Sequence, residues 1–285
     1  MKKLSKPLPD THPEDIFEEC VSGYRDKQKV ATLLQCKEMI QCDSKLYDDV
    51  IPHELEKFQQ SSLPSGIVPD DLVDVYTKKF AAEKSPGRKY YNAIREQLVL
   101  NICPICGIGQ IKTLDHYLPK SKYPTLVVTP SNLIPSCRDC NMDKRAESSY
   151  DPENTPVHLY FDDVPNDPWL QVTVGDNLEI LYYVLCPDAW DVGIRRRVEK
   201  HLDFYKLHQL YSSHANSEIA NSIHMWKKTV MQSDPETLRL ALMDTCESAE
   251  VNDKNSWKSA LYRGLVQNFD KVKAYIFQLC VNEHG

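Results

Sequence analysis

The stretch Cys103–Lys144 constrains this chain more than any other. It reads CPICGIGQIKTLDHYLPKSKYPTLVVTPSNLIPSCRDCNMDK. Two Cys-x-x-Cys pairs bracket it, Cys103 with Cys106 and Cys137 with Cys140. Two residues between cysteines let both sulfurs of a tight turn face one ion, and two such turns complete a tetrahedral Zn²⁺ site. A four-thiolate site is closed to substrate, so the expected zinc is structural. A redox Cys-x-x-Cys has no need of a second copy. Buried free thiols are the bland alternative, and the identical spacing of the two pairs weighs against it.

Within the bracket stand Asp115-His116 and Asn132, and Asn141 follows the last cysteine. Neutral imidazole titrates near physiological pH and can take a proton from water. A carboxylate and an amide oxygen are hard donors suited to Mg²⁺ or Mn²⁺. Together they supply a general base and a metal clamp, the parts required for phosphodiester hydrolysis.

The ordered elements CPIC, LDHYLPKS, SNLIPSC and CRDCNMDK resemble the HNH endonucleases, the ββα-metal nucleases. That resemblance implies roles residue by residue. His116 is expected as general base and Asp115 as a ligand of the catalytic metal. Asn132 is expected as the central Asn that fixes the His loop. Asn141 stands where the last His or Asn binds metal, which makes this an HNN variant. Tyr123-Pro124 stands where many members carry Gly-Gly. Lys120 and Lys144 match basic positions that meet phosphate. The products implied carry 5′ phosphates. The DHYLPKSKYP segment and long helical flanks are similar to HNH effectors of bacterial anti-phage systems, the Septu type among them, where the nuclease works beside an ATPase. No G-x-x-x-x-G-K-S/T occurs here, so an ATPase partner would be a separate chain.

Charge sharpens the expectation about substrate. The chain carries 34 Lys and Arg against 41 Asp and Glu, a net charge of −7. Residues 78–146 nevertheless hold 12 Lys and Arg against 5 Asp and Glu. An acidic protein with one basic island suits local phosphate contact and argues against tight, unaided, non-specific DNA binding. A protein partner is therefore expected to supply part of the nucleic-acid affinity. Arg88 and Lys89, in GRKYYNAIREQL just before Cys103, are candidate extensions of the phosphate path.

Periodicity divides the rest. Residues 1–13 are polar and proline-bearing. An apolar face predicts a helix over 26–42, and Pro69-Asp70-Asp71 opens another whose stripe is Leu72, Val75, Tyr76 and Phe80. A further helix is predicted over 86–100, and one of about ten residues from 138 to 147. The core is expected as a hairpin carrying Cys103 to His116, a loop to Asn132, and that short helix. So small a core needs its zinc to fold. Alternation predicts short strands at 157–161, 170–174 and 178–185, with Gly175-Asp176-Asn177 as a turn. Asp162-Asp163 reads as a solvated turn. The last hundred residues read as helical, ending in one long amphipathic helix from Trp257 to Leu279.

The expected fold is therefore α+β, mainly helical. A zinc-stapled ββα-metal core at 101–150 lies between a helical region at 1–100 and a region of short strands and helices at 151–285. The expected function is metal-dependent cleavage of DNA by an anti-phage effector. Rival readings keep the same residues: a ribonuclease or tRNA-cleaving toxin, or a silent zinc module that tethers partners. Ten cysteines and no visible signal peptide point to a reducing cytoplasm as the expected compartment, and no apolar run approaches the length of a membrane span.

Overall fold

A computed structural model describes residues 3–51, 55–146 and 155–282, the side chains of 56, 143–146 and 282 excepted. The chain forms two compact units, Lys3–Asp162 and Asp163–Gly285. Helices dominate both. The described strands form two small antiparallel sheets, so the fold is mainly helical α+β.

In the first unit, α1 (Pro13–Ser22), α2 (Lys27–Leu34) and α3 (Lys37–Val50) precede a loop. The single helix predicted over 26–42 is two, parted at Gln35-Cys36. Its apolar period survives the break, which is why the sequence hides it. Asp26 caps α2, its Oδ1 accepting from Gln28 N at 2.9 Å and Lys29 N at 3.1 Å. Next come α4 (Pro69–Asp74), a π-helical segment (Val75–Phe80) and α5 (Arg88–Arg95), the last shorter than the predicted 86–100. Strand β1 (Thr113–His116) pairs with β2 (Leu133–Ser136), and α6 (Arg138–Ala146) follows. Register aligns Asp115 with Ile134 and His116 with Leu133.

Two expectations change here. The hairpin's second strand lies after Asn132, not before His116; Cys103–Gly109 is a turn closed by an isolated bridge from Ile102 to Gln110. Nor does the segment from Cys103 to Asn141 depend on zinc alone for its interior. Leu114, Val127, Val128 and Leu133 join Ile16, Phe17, Leu72, Val75, Phe80 and Ile94 in one apolar cluster. The N-terminal helices provide the core that a segment of this size cannot build.

Residues 155–161 form no strand. Phe161 N and Asp162 N both donate to His158 O, at 3.1 and 2.9 Å, and Asp162 Oδ2 accepts from His158 N at 2.7 Å. Asp162 is thus buried in a self-capped turn and not solvated, while Asp163 is exposed. The N-terminal segment is held against it, Leu4 N donating to Leu159 O at 2.7 Å.

The second unit packs a hairpin, β3 (Leu170–Val174) and β4 (Ile180–Val184), against helices. These are α7 (Val192–Phe204), α8 (Leu207–Gln232), α9 (Pro235–Asn252), α10 (Trp257–Gln267) and α11 (Phe269–Asn282). The long final helix expected from Trp257 is divided at Asn268. A two-stranded sheet leaves both edges open, which invites pairing with other chains. Here side chains from the helices and from the turn between α9 and α10 close them. Asn255 Oδ1 accepts from Leu170 N at 3.1 Å, Arg263 Nη2 donates to Leu170 O at 2.7 Å, and Lys271 Nζ donates to Val174 O at 2.9 Å. On β4, His208 Nδ1 donates to Tyr182 O at 2.8 Å. No helix among the described residues is long and apolar enough to cross a membrane.

Candidate metal centre and active site

The first knuckle is a reversed turn. Gly107 N donates to Cys103 O at 2.8 Å, Cys103 N to Gly109 O at 2.7 Å, and Gly107 takes φ +69°, a left-handed value glycine adopts without strain. The second knuckle opens α6, where Cys140 N donates to Cys137 Sγ at 3.4 Å. Gly109 N likewise donates to Cys106 Sγ at 3.4 Å. Backbone N–H groups aimed at sulfur favour thiolates.

The ligand atoms of Cys103, Cys106, Cys137 and Cys140 all lie within 4.8 Å of one another, and all four residues are buried. Cys106 Sγ and Cys137 Sγ are 4.0 Å apart. A tetrahedron with Zn–S bonds of about 2.3 Å has edges near ~3.8 Å, so the donor set fits zinc. The thiols also polarise one another. Hydrogen bonding from Cys103, then Cys137 and Cys140, holds Cys106 far below the ordinary thiol range. Cys137 is lowered to about 7, chiefly by its hydrogen bond with Cys103. Cys103 and Cys140 are driven up in return, as the proton donors of the cluster. Four sulfurs this close cannot all ionise without a cation among them.

Beyond the cysteines, β1 delivers Asp115 and His116 and α6 delivers Asn141. Strand alternation sets Thr113 and Asp115 on one face of β1. Asn141 reaches that face, its Nδ2 donating to Thr113 Oγ1 at 3.4 Å. The amide oxygen is then the atom of Asn141 left to a cation. Asp115 and His116 are both buried, at 6% and 7% exposure.

His116 closes β1. Its Nε2 lies 3.0 Å from Val127 O. A carbonyl only accepts, so Nε2 carries a proton and donates it. The Tyr76 ring meets the imidazole edge-on, with centroids 4.4 Å apart.

Asn132 is wholly buried and faces the backbone. Its Oδ1 accepts from Leu118 N at 2.7 Å, and its Nδ2 donates to Leu118 O at 3.2 Å and Leu126 O at 3.3 Å. Its own carbonyl accepts from Tyr117 N at 2.8 Å. These bonds tie the two ends of the 117–126 loop to the start of β2. Tyr117, next to His116, also donates its hydroxyl to Pro156 O at 2.8 Å, and the His158 ring packs on it at 4.1 Å.

The basic residues divide. Lys120 Nζ lies over the Tyr76 ring, 4.7 Å from its centroid. Arg88 donates to Ala81 O and lies 4.4 Å over the Tyr91 ring. Lys89 pairs with Glu19 Oε1 at 2.8 Å, and that pair, with the Tyr90 hydroxyl, holds the Glu19 carboxyl below its ordinary range. Arg88 and Lys89 thus have internal partners. The Lys144 side chain lies outside the described residues. Tyr76 is the residue that sequence reasoning misses. In the chain it is one member of a helical apolar stripe, and no spacing links it to His116.

Residues 103–147 match the family model described as HNH endonuclease. Among known proteins, the chain is 28% identical to Protein ea31 of Escherichia phage lambda, over 95% of this chain and 98% of the relative. It is 32% identical to the Septu protein PtuB of Bacillus thuringiensis, over 25% of this chain and 28% of that protein. No solved structure matches. With the cysteine cluster around the ββα arrangement, residues 103–147 of this chain are an HNH endonuclease domain.

Proposed function

We propose that this protein is a metal-dependent endonuclease that cuts DNA. The observation that carries the reading is the meeting of Asn141 with the face of β1 that bears Asp115, the residue before His116. A carboxylate and an amide oxygen are a donor set that fits Mg²⁺ or Mn²⁺. When bound, such an ion neutralises charge on the phosphate and at the leaving 3′ oxygen. His116 takes a proton from water at Nδ1, and the hydroxide attacks phosphorus in line. Val127 O fixes the tautomer that makes this possible. Asn132 acts through the loop, holding Tyr117 and Leu118 and so the end of β1.

Lys120 and Lys144 are proposed to meet the strand's phosphates. Arg88 and Lys89 reach a strand only by exchanging their present partners. The division of labour proposed is a nuclease core at 101–150, with helical flanks at 1–100 and 151–285 serving for support and recognition. A phage-encoded relative along nearly the whole chain and a Septu relative over a quarter of it support a role in conflict between phage and host. We place that role in the cytoplasm, beside a partner ATPase.

Cleavage of plasmid DNA and of total tRNA, each with Mg²⁺ or Mn²⁺, tests this with His116→Ala in parallel. Plasmid cleavage by the wild type alone is expected. Cleavage of tRNA alone would make the protein a ribonuclease. Silence on both, with or without a co-purified partner, would leave a tethering module.

A further inference from the structure

The HNH match begins at Cys103, yet one side chain that touches His116 comes from well before it. Tyr76 lies in the π-helical segment Val75–Phe80. Ala81 N donates to Tyr76 O at 2.8 Å, a bond across five residues that defines the wide turn. Such turns cost hydrogen-bond geometry and recur at functional sites. This one is braced from outside. Gly87 N donates to Lys79 O at 3.0 Å, Arg88 caps Ala81 O, and Lys79 Nζ donates to Gly23 O at 2.8 Å. A Cβ on Gly87 would fall 2.8 Å from Phe80 Cα, so the brace is tight against the turn.

The braced turn presents one ring to two groups. The Tyr76 ring is 4.4 Å from the imidazole of His116 in edge geometry, and the Lys120 ammonium stands 4.7 Å from the same centroid. Phe80 stacks on it at 5.4 Å and fixes its tilt. Tyr76 is 6% exposed, which excludes it as a platform for a nucleic-acid base. An aromatic face attracts a cation, and an aromatic edge contact orients a neighbouring ring. We propose that Tyr76 is a positioning residue: it holds the His116 ring and sets the Lys120 ammonium beside it, so that base and phosphate-binding cation are ordered together. The N-terminal helices therefore complete the active centre as well as its core. This rests on the reading of His116 as the base.

The test uses the full-length protein. Steady-state cleavage of plasmid is compared for wild type, Tyr76→Phe, Tyr76→Leu, Lys120→Gln and the double variant Tyr76→Leu/Lys120→Gln. Tyr76→Phe keeps the ring and is expected within about twofold of wild type, while Tyr76→Leu loses about tenfold or more in kcat with KM little changed. The double variant is expected to lose less than the product of its two parents, because both act through one contact. Equal loss in Phe and Leu variants, or full multiplicativity, would overturn the proposal. A second readout needs no cleavage. The His116 ring protons of the wild type, assigned by their absence in His116→Ala, should show a ring-current displacement from the free-histidine position. Undisplaced signals would overturn the positioning role even in an active nuclease. Displaced signals in a protein that cuts nothing would uphold the positioning and refute the nuclease reading alone.

Discussion

Asn132 grips Leu118 at both of its backbone polar groups, accepting from the N–H at 2.7 Å and donating to the C=O at 3.2 Å. A side-chain amide paired with a peptide unit in this way imitates a strand partner. It explains why an asparagine stands here: aspartate has no donor for the carbonyls of Leu118 and Leu126, and alanine has nothing for any of them. With the residue wholly buried, water cannot substitute. Asn132→Ala is expected to destabilise the first unit by about 2–4 kcal/mol. Asn132→Asp should cost at least as much, since it sets a carboxylate against two carbonyl oxygens. Denaturant unfolding followed by far-ultraviolet circular dichroism measures this. A loss under about 1 kcal/mol for both, on the order of a surface substitution, would remove Asn132 from the loop-fixing role.

Zinc and base are predicted to separate cleanly. Cys137→Ser removes one thiolate from a cluster that needs all four, so zinc should be lost, and with it the order of 101–110 and 137–146. Because Leu114, Val127, Val128 and Leu133 share the apolar cluster of the N-terminal helices, α1 to α3 should stay protected from hydrogen exchange. His116→Ala should keep its zinc and lose cleavage. The pH response follows by sign. Bound zinc holds the thiols ionised, below their ordinary range, so its stabilisation is present at neutral pH and is lost as pH falls. Without the metal only Cys106 and Cys137 are lowered, by hydrogen bonds from neighbouring thiols, while Cys103 and Cys140 are raised, so it is the zinc that keeps all four ionised. Zinc release measured with a chromophoric chelator across an acid titration, with exchange mapped by segment, checks each step. Loss of zinc from His116→Ala would contradict the division.

Much of this site is legible in the amino-acid sequence because its spacing is local. Two Cys-x-x-Cys pairs, Asp115-His116 and Asn141 are short-range patterns whose chemistry admits few alternatives. What stays hidden is long-range. Leu133–Ser136 carries Pro135, a residue that argues against a strand, so nothing local marks it as the partner of β1. Pro135 is tolerated because a two-stranded sheet has free edges. The break at Asn268 is invisible because the apolar period of α10 runs on in phase into α11. The run at 157–161 has the pattern of a strand because residues 157–160 are buried, but a turn closed by Asp162 buries them equally well. Tyr76 meets His116 through a fold that no pattern encodes.

The two glycines of the first knuckle should respond in opposite ways. Gly107 has a positive φ but open space around its Cα, with nothing within 4 Å of an added Cβ. Gly107→Ala should therefore cost only the backbone strain of about 1 kcal/mol, with zinc retained. At Gly109 the conformation is ordinary but the space is taken. A Cβ there would lie 2.7 Å from Cys137 Cβ and 2.9 Å from its Sγ. Gly109→Ala must push the second knuckle away from the first, and zinc stoichiometry below one per chain is expected. Metal analysis after dialysis distinguishes them. Full zinc in Gly109→Ala would show that the knuckles can shift without cost.

In the second unit, Arg263 is the less exposed of the two cations that hold the free edge of β3. Its side chain is 11% exposed, donates to Leu170 O at 2.7 Å, and pairs with Glu250. Removing it leaves two carbonyls, of Leu170 and Lys254, and a partly buried carboxylate without the charge that served them. Truncating one partner of such a pair costs more than the pair contributes, because the other charge stays behind. Arg263→Met should lower the stability of this unit by about 2–4 kcal/mol and raise exchange at the amides of β3. Arg239→Met is the control. Arg239 makes a similar contact, 2.8 Å to Glu236, but on an exposed helix face, and should change stability by about 0.5 kcal/mol or less. Adding Glu250→Gln to Arg263→Met should recover part of the loss, since it removes the stranded charge and leaves the carbonyls of Leu170 and Lys254 unserved. No recovery would assign the whole effect to the two carbonyls.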